Sequence, residues 1–228
     1  MQIPSARQEF FMGIRDELPI LIGVIPFGMI YGILALSAGL SPTEAQAMSI
    51  IVFAGSAQLI LVQLAGIETP TMIMILTGFL INLRHALYSI SIAPYTRQLH
   101  SVWKAMLSYL LTDEAYAVTI THYIQGERHQ NKQWHFLGAG FALWASWQTS
   151  TALGVFLGTQ VPPNWPLDFT LALTFIALLI PRLIDRPSIF AAISAGCMAV
   201  LTIELPFKLH LLIAAIVGIS VGLLMEEI

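Results

Sequence analysis

The chain alternates long apolar segments with short polar turns, and this alternation limits what it can fold into. A helix needs about 20 apolar residues to cross a bilayer core of ~30 Å, and about eight segments approach that length. They cover residues 18–40, 45–66, 71–92, 102–124, 136–159, 169–184, 189–205 and 209–225. The last three are short enough to be half-spans or tilted helices. We therefore predict an all-α membrane helix bundle of about six to eight segments.

Composition excludes most other classes of protein. Hydrophobic residues make up 57% of the 228 residues and charged residues only 10%, whereas a typical soluble domain is roughly 25% charged. A soluble fold so poor in charge could not cover its surface with polar groups. The net charge of −3 offers no basic surface for nucleic acid. Disorder, nucleic-acid binding and an ordinary cytosolic enzyme are therefore excluded, and the single cysteine, Cys197, cannot form a disulfide within the chain.

The polar connections are short, so we predict a single transmembrane domain over residues 1–228. Prolines mark the turns near residues 42, 70 and 162–166, and the longest polar stretch, 125–135, leaves no room for a soluble domain. The charged residues before the first segment and the lack of a cleavage site argue against an export signal. The positive-inside rule favours a cytoplasmic N-terminus.

Two polar clusters lie inside apolar segments, where an ionisable group costs at least about 2.5–3.5 kcal/mol and therefore indicates function. Asn82, Arg84 and His85 form the first, in the third segment. Asn82 and His85 are three residues apart and share a helix face. Asp113 and Glu114 form the second, in the fourth segment. Opposite charges on neighbouring spans predict that Arg84 pairs with one of the two carboxylates.

A structural role for these charges stays open, because the pair could lock two helices together or Arg84 and His85 could extend to the headgroups. A buried ion pair adds little stability compared with apolar residues of similar size, which favours function. Histidine changes charge near neutral pH, and adjacent carboxylates repel when both are ionised. His85, Asp113 and Glu114 therefore have the chemistry that a proton relay needs.

Proline and glycine residues inside the apolar segments predict discontinuous helices. Transporters use such helices to bind substrate at mid-membrane. In the first segment, Pro26 removes a backbone donor and Gly28 allows close approach of another backbone. An Ala-Gly-Ser-Ala-Gln sequence at 54–58 interrupts the second segment, and Pro181 interrupts the sixth. A plain proline kink with close helix packing is the alternative.

Tryptophan usually prefers membrane interfaces, yet Trp144, Trp147 and Gln148 lie near the middle of the fifth segment. The two rings are candidates for lining an apolar cavity, with core packing or lipid contact as the alternative.

Two pairs of glycines have the small-xxx-small spacing that brings helices together, Gly154–Gly158 and Gly218–Gly222. They predict helix–helix contacts within the chain or with a partner, which leaves a higher oligomer open.

Sequence signatures of enzymes are missing. The chain has no HExxH zinc motif, no GxSxG elbow around Ser56 and no Walker sequence. We predict that it is not an enzyme and that it uses no cofactor and no metal.

Four motifs in order resemble the AzlC family, the large subunit of bacterial branched-chain amino acid exporters. They are Leu-Pro at 18–19 followed by Pro-Phe-Gly at 26–28, Ala-Gly-Ser-Ala-Gln at 54–58, Asn-Leu-Arg-His-x-x-Tyr at 82–88 and Thr-Asp-Glu at 112–114. The resemblance implies export of valine, leucine and isoleucine, with methionine as a further candidate, across the bacterial inner membrane. It also implies a small AzlD-type membrane subunit and an antiporter driven by an ion gradient, with protons as the expected ion.

The chemistry of such a substrate suggests roles for the motif residues. Its carboxylate fits Arg84 or a half-helix end near Pro26, its ammonium fits Gln58, Asn82 or freed carbonyls, and its aliphatic group fits an aromatic pocket. The predicted substrate-binding residues are Pro26, Phe27, Gly28, Tyr31, Gln58, Asn82, Arg84, Trp144 and Trp147, and the predicted proton-coupling residues are His85, Asp113 and Glu114. An uncoupled channel and a structural subunit of a transport complex are the alternatives.

Overall fold

The computed structural model describes residues 4–125, 131–160, 176, 180, 183–206 and 209–226. These residues form the helices α1 (Ala6–Ser37), α2 (Pro42–Ile51), α3 (Gly55–Gly66), α4 (Thr71–Asn82), α5 (Arg84–Thr96), α6 (Ser101–Tyr109), α7 (Asp113–Gln125), α8 (Lys132–Gly158), α9 (Arg186–Leu201) and α10 (Leu209–Glu226). The predicted all-helical fold is confirmed. The sixth segment, 169–184, with Pro181, and the turn at 162–166 fall almost entirely outside the described residues.

Among the residues that the structure describes, three helical stretches are long and apolar enough to cross a membrane. They are Ala6–Ser37, Thr71–Thr96, which joins α4 and α5, and Leu209–Glu226. The helices Gly55–Gly66 and Arg186–Leu201 are apolar but shorter. Large apolar side chains are exposed along these helices, for example Ile22 at 77% and Ile90 at 70%. Such a surface suits contact with lipid.

Side-chain caps fix where the first two helices begin. Ser5 caps α1 in a reciprocal arrangement with Gln8, and Ser41 caps α2 in the same way with Glu44. Each serine oxygen accepts a hydrogen bond from an unpaired backbone donor of the first turn. The hydrogen bonds from Ser41 lower the pKa of Glu44, an exposed residue. Proline follows Ser41 at the start of α2, where its missing N–H costs nothing.

The chain divides into two compact units. The first contains Met1–Gln63 and Gly78–Val161, and the second contains Leu64–Thr77 and Pro162–Ile228. In the second unit, α9 and α10 pack closely, because a Cβ atom on Gly218 would lie only 2.9 Å from the Cβ of Ala195. One on Gly222 would lie 3.3 Å from the Cβ of Ala191. The helix contact predicted for this glycine pair is confirmed, and the single domain over residues 1–228 stays a prediction.

In the first unit, glycines let α1 and α8 touch through their backbones. A Cβ atom on Gly32 would lie 2.6 Å from the backbone nitrogen of Val155. Gly154 faces the Met29 carbonyl just as closely, and Gly158 faces the backbone of Ile33. The helix contact predicted for Gly154 and Gly158 is therefore confirmed. Alpha helix α8 is buried along much of its length, which identifies the α1–α8 pair as the core of this unit.

The predicted break in the first segment is wrong. Alpha helix α1 runs without interruption through both Pro19 and Pro26. Proline removes one helical hydrogen bond, a cost of roughly 3 kcal/mol, and the close packing of Gly28 and Gly32 on α8 offsets that cost. Pro26 itself is exposed on α1, so this segment offers no half-helix end to a substrate.

The breaks occur in three other segments. Residues 52–54 separate α2 from α3, which confirms the interruption predicted near 54–58. Leu83 separates α4 from α5 through short i to i+3 hydrogen bonds, from Leu83 N–H to the Leu80 carbonyl and from Ala86 N–H to the Leu83 carbonyl. Residues 110–112 separate α6 from α7, where the Thr112 hydroxyl accepts a hydrogen bond from the Ala115 N–H. Neither of the last two breaks contains glycine or proline.

Replacing Gly32 tests the α1–α8 contact. A leucine side chain would force the two backbones apart, so Gly32→Leu should lower the free energy of unfolding by about 1–3 kcal/mol or prevent accumulation of folded protein. Thermal unfolding in detergent measures the effect. Gly23→Leu on the same helix is the control, because a Cβ atom there meets nothing within 4 Å. Equal melting temperatures for the two variants would contradict the contact.

Candidate functional site

The three helix breaks of the first unit meet at the side chain of Arg84. Its Nη1 lies 3.1 Å from Oδ2 of Asp113, and its Nη2 donates to the Ser56 hydroxyl at 3.3 Å. Arg84 begins α5, Asp113 begins α7, and Ser56 lies in the first turn of α3. We call Ser56, Arg84 and Asp113 the helix-break site. The predicted ion pair between Arg84 and a carboxylate of the fourth segment is confirmed.

The electrostatics of the helix-break site follow from where its residues lie on their helices. The N-terminus of a helix carries roughly +0.5 charge, so Asp113 in the first turn of α7 is stabilised there. The positive charge of Arg84 lies at the N-terminus of α5, where the helix dipole disfavours a cation. The negative charge of the Asp113 carboxylate offsets this repulsion. The N-termini of α3 and α7 add further positive potential beside Arg84. The site as a whole therefore suits an anionic group.

Two buried polar atoms, one in the helix-break site and one beside it, have hydrogen-bonding capacity to spare. Among the described residues, neither Nε of Arg84 nor Oδ1 of Asn82 has a hydrogen-bond partner, although both atoms are buried. The Arg84 side chain keeps 28% of its exposure. Buried polar atoms are almost always satisfied, so one free donor and one free acceptor close in sequence indicate a place for a ligand.

Gln58, Tyr31 and Trp147 form a packed group at the beginning of α3. The Trp147 indole donates to Oε1 of the buried Gln58 at 3.1 Å, and the Tyr31 ring stacks on the indole at a centroid distance of 6.3 Å. Gly55 faces the Trp147 ring so closely that a Cβ atom would lie 2.7 Å from it. Trp147 is 6% exposed. Of the two interpretations offered by the sequence, the structure places Trp147 in the core.

The other residues predicted to contact substrate lie apart from this group. Trp144 is half-buried and donates through its indole to the Tyr109 hydroxyl at 2.9 Å, and that hydroxyl donates to the Ile50 carbonyl. Phe27 is half-buried on α1. Gly28 packs against the side chain of Ser150 on α8.

The predicted proton-coupling residues lie beside the helix-break site. His85 follows Arg84 on α5, and its Nδ1 lies 3.1 Å from the Asn82 carbonyl oxygen. Its ring meets the Tyr88 ring edge to face at a centroid distance of 5.9 Å. Glu114 follows Asp113 in the first turn of α7.

A second polar cluster escaped the sequence analysis. Nε2 of His122 lies 3.0 Å from Oε2 of Glu9, and Nε2 of His135 lies 3.0 Å from Oδ2 of Asp16. The two imidazole rings stack in parallel at a centroid distance of 3.8 Å. We call Glu9, Asp16, His122 and His135 the histidine–carboxylate cluster. The sequence did contain a signal, because Glu9, Asp16 and Glu17 are spaced to lie on one face of a helix. It was overlooked because these charges were interpreted as preceding the first membrane segment.

This cluster also has donor atoms that could hold a metal ion. Asp16, His122 and His135 each offer one ligand atom, and these atoms lie within 4.8 Å of one another. Imidazole and carboxylate ligands suit zinc and similar ions, whose metal–ligand bonds are about 2.0–2.2 Å long. The side chains would have to move closer together to bind such an ion.

The family of the chain follows from comparison with known proteins. A model of the AzlC protein family matches residues 19–161, a range that contains all three helix breaks. The chain belongs to the AzlC family. This confirms the resemblance found in the four motifs. No solved structure matches the chain.

Relatives of this AzlC-family chain are membrane proteins. The inner membrane protein YgaZ of Escherichia coli (strain K12) is 28% identical over 223 residues, covering 94% of this chain and 88% of the relative. An uncharacterized membrane protein of Archaeoglobus fulgidus is 31% identical, covering 92% and 89%. The branched-chain amino acid transport protein AzlC of Bacillus subtilis (strain 168) is 26% identical, covering 82% and 73%. The names of the first two describe membrane proteins, and the third names a transport protein.

A double-mutant cycle tests the ion pair of the helix-break site. The single variants Arg84→Gln and Asp113→Asn and the double variant should show a coupling energy of about 1–2 kcal/mol in unfolding experiments. The value is modest because the two side chains keep 28% and 18% of their exposure. Strictly additive effects of the two substitutions on the melting temperature would contradict the pair.

Proposed function

We propose that this protein is a secondary transporter that exports branched-chain amino acids across the bacterial inner membrane as a multi-pass antiporter. Valine, leucine and isoleucine are the proposed substrates, with methionine as a further candidate. The observation that carries the proposal is the helix-break site, where Arg84 joins three helix starts and keeps a buried, unpartnered donor. The transport protein named among the relatives supports the choice of substrate.

The helix-break site offers complementary groups to both charged ends of an amino acid. The substrate carboxylate accepts hydrogen bonds from Nε of Arg84 and is favoured by the positive ends of α3 and α7. The ammonium donates to Oδ1 of Asn82 and to the carboxylates of Asp113 and Glu114. All of these groups lie at or beside a helix break, the arrangement by which transporters bind zwitterions at mid-membrane.

The aromatic residues determine the shape of the site around the aliphatic group of the substrate. Tyr31 and Trp147 hold Gln58 and the beginning of α3 in place, because the indole both bonds Gln58 and packs on Gly55. In this proposal they are positioning residues. Phe27 and Trp144, which are half-buried, supply apolar contact as the substrate moves through the protein.

Antiport with protons requires that a proton and the substrate exclude each other. The substrate ammonium and a proton compete for the same carboxylates, those of Asp113 and Glu114, so binding of one releases the other. His85, adjacent to Arg84, accepts or returns the proton. A small AzlD-type membrane subunit completes the transporter in this proposal.

Substitution of Arg84 tests substrate binding. Arg84→Gln should abolish leucine efflux from cells that lack their own exporters, and Arg84→Lys should restore it only in part, because lysine cannot bond Asp113 and Ser56 in the same forked geometry. Efflux after loading with a leucine dipeptide, normalised to protein in the membrane, measures the effect. Arg97→Gln, at an exposed position, is the control. Efflux at the wild-type rate in Arg84→Gln would refute the site.

Substitution of Asp113 tests coupling. Asp113→Asn should abolish export driven by the proton gradient while the folded protein still accumulates in the membrane, since asparagine has a similar shape but cannot bind a proton. Azaleucine sensitivity of the expressing strain reports the loss, and full resistance would contradict the assignment. Asp185→Asn is a matched control, because asparagine also caps α9. Leucine flux that ignores the pH gradient in the unchanged protein would favour a channel instead.

A further inference from the structure

The chain doubles back on itself between the start of α6 and the end of α7. Trp103 in the first turn of α6 packs on Trp134 of α8, with the ring centroids 4.9 Å apart. Tyr123 near the end of α7 donates from its hydroxyl to the Lys132 carbonyl oxygen at 3.2 Å. Both partners lie in the first turn of α8. A straight helix would separate residues 103 and 123 by about 30 Å at 1.5 Å per residue.

The order of contacts along the neighbouring helices gives the same course. Helix α7 runs parallel to α5, because three contacts follow one another in the same order along both. They are Arg84–Asp113, Tyr88–Tyr116 and Tyr95–Tyr123. Helix α6 runs parallel to α8, since Trp103 meets Trp134 and Leu110, just past the end of α6, packs on Gly140. The chain therefore runs away from the start of α8 in α6 and returns to it in α7.

The turn between the two helices lies about halfway along α8. Tyr109 at the end of α6 accepts a hydrogen bond from the indole of Trp144, the thirteenth of the 27 residues of α8. The 9 residues of α6 and the 13 of α7 make arms of about 14 and 20 Å. Each arm thus reaches roughly the middle of a hydrocarbon core of ~30 Å.

The backbone of this turn is enclosed by protein. Leu110 and Leu111 are each 6% exposed and Thr112 is 5% exposed. Non-helical backbone is tolerated at membrane depth only where protein or a water-filled cavity surrounds it. The turn meets that requirement, and Asp113 follows it directly.

Both ends of the doubled-back segment lie level with the start of α1. Asn131, just before α8, donates from Nδ2 to the Pro4 carbonyl oxygen at 2.8 Å. Helices α1 and α8 run in the same direction, because Gly13 faces the backbone of His135 and Gly32 faces that of Val155. The start of α8, which both arms touch, therefore belongs to the side of the membrane from which α1 begins.

Helix α2 approaches the same turn from the opposite side. It packs beside the second half of α1, where the Tyr31 hydroxyl donates to the Ala45 carbonyl at 2.8 Å. At its other end, the Ile50 carbonyl accepts a hydrogen bond from the Tyr109 hydroxyl at 2.7 Å. The Tyr109 ring also lies 5.9 Å from that of Phe53. Half-helices from the two sides thus meet at Tyr109, four residues before Asp113.

The basic residues fit a segment that returns to the side where it began. Lys104 in α6 donates from Nζ to the carbonyl oxygen of Arg97, just before α6, at 2.9 Å. A straight crossing would leave these two cations on the side opposite Arg7 or place the end of α7 there. The doubled-back course puts Arg7, Arg97 and Lys104 on one side. Lysine and arginine collect on the cytoplasmic side of membrane proteins.

An open cavity lies along the arm α7. Its volume is about 380 Å³, and it is lined by Asp16, Ile20, Ala117, Val118, Thr121 and His122. Pockets for small ligands have about this volume. Ala117 lies one helical turn beyond Asp113. The cavity thus extends along α7 to within one turn of the helix-break site, and its apolar residues suit an aliphatic side chain.

We propose that α6 and α7 form a re-entrant hairpin, which enters and leaves the membrane on the side of the N-terminus and places Asp113 at mid-depth. An aliphatic amino acid reaches the helix-break site along α7 from that side. The hairpin stands on the contacts alone. The access path rests on the proposed function, since an exporter loads its substrate from the cytoplasm.

Cysteine labelling tests the hairpin without any need for transport. Cys197, which is exposed, is first replaced by serine. Single cysteines then replace the exposed residues Arg7, Ser101, Ile124 and Ser37. In membrane vesicles of defined orientation, an impermeant maleimide should label the cysteines at 7, 101 and 124 from one side and the cysteine at 37 from the other. Labelling of positions 101 and 124 from opposite sides would show a straight crossing and overturn the hairpin.

Ala117→Cys in the same background tests the access path. An impermeant thiol reagent added on the side of the N-terminus should stop leucine-for-leucine exchange, because the modified side chain fills the cavity. Added leucine should slow this modification. Thr43→Cys, at an exposed position of α2, is the control, and its modification should leave exchange unchanged. Full exchange after complete modification of Ala117→Cys, or modification only from the opposite side, would overturn the path.

The two experiments separate the hairpin from the proposed function. Labelling of both hairpin ends from one side, combined with no leucine exchange by the unchanged protein, would support the hairpin and refute export together with the access path. Labelling of the ends from opposite sides, combined with normal exchange, would refute the hairpin and leave the function standing.

Discussion

Backbone contact between α1 and α8 is the constraint on which the first unit depends. It requires glycine wherever the two helices cross, at Gly13, Gly32 and Gly154 among others. The same contact places Trp147 against the start of α3 and His135 against α1. Helices that approach this closely have little freedom to shift, because any added atom meets backbone rather than a movable side chain. The pair therefore forms a rigid frame for both polar sites.

The remaining helices of this unit are short and interrupted. At the three breaks, Arg84 holds the starts of the following helices together through Asp113 and Ser56. The short helices on either side of the breaks can therefore move while the closely packed α1–α8 pair stays fixed. This division agrees with alternating access, in which one bundle moves against another around a central site.

Opposite charges in neighbouring segments were enough to predict that Arg84 pairs with a carboxylate of the fourth segment, although not that this is Asp113 rather than Glu114. Glycine and serine at 54–58 were enough to predict a break. The break predicted at Pro26 was wrong, because the sequence does not show that α8 packs against α1 both before and after this proline. The breaks at Leu83 and 110–112 contain no breaker residue and depend on tertiary contacts. The bond between His122 and Glu9 joins residues 113 positions apart, a separation that periodicity cannot bridge.

The uninterrupted course of α1 has an electrical consequence. Its 32 residues make it about 48 Å long at 1.5 Å per residue, well beyond a hydrocarbon core of ~30 Å. Glu9 lies in its first turn and Glu17 about 12 Å further along the axis. The two carboxylates therefore lie at different depths along one continuous helix, so each experiences a different fraction of the membrane voltage, which is worth about 2.3 kcal/mol per elementary charge and 100 mV for a full crossing.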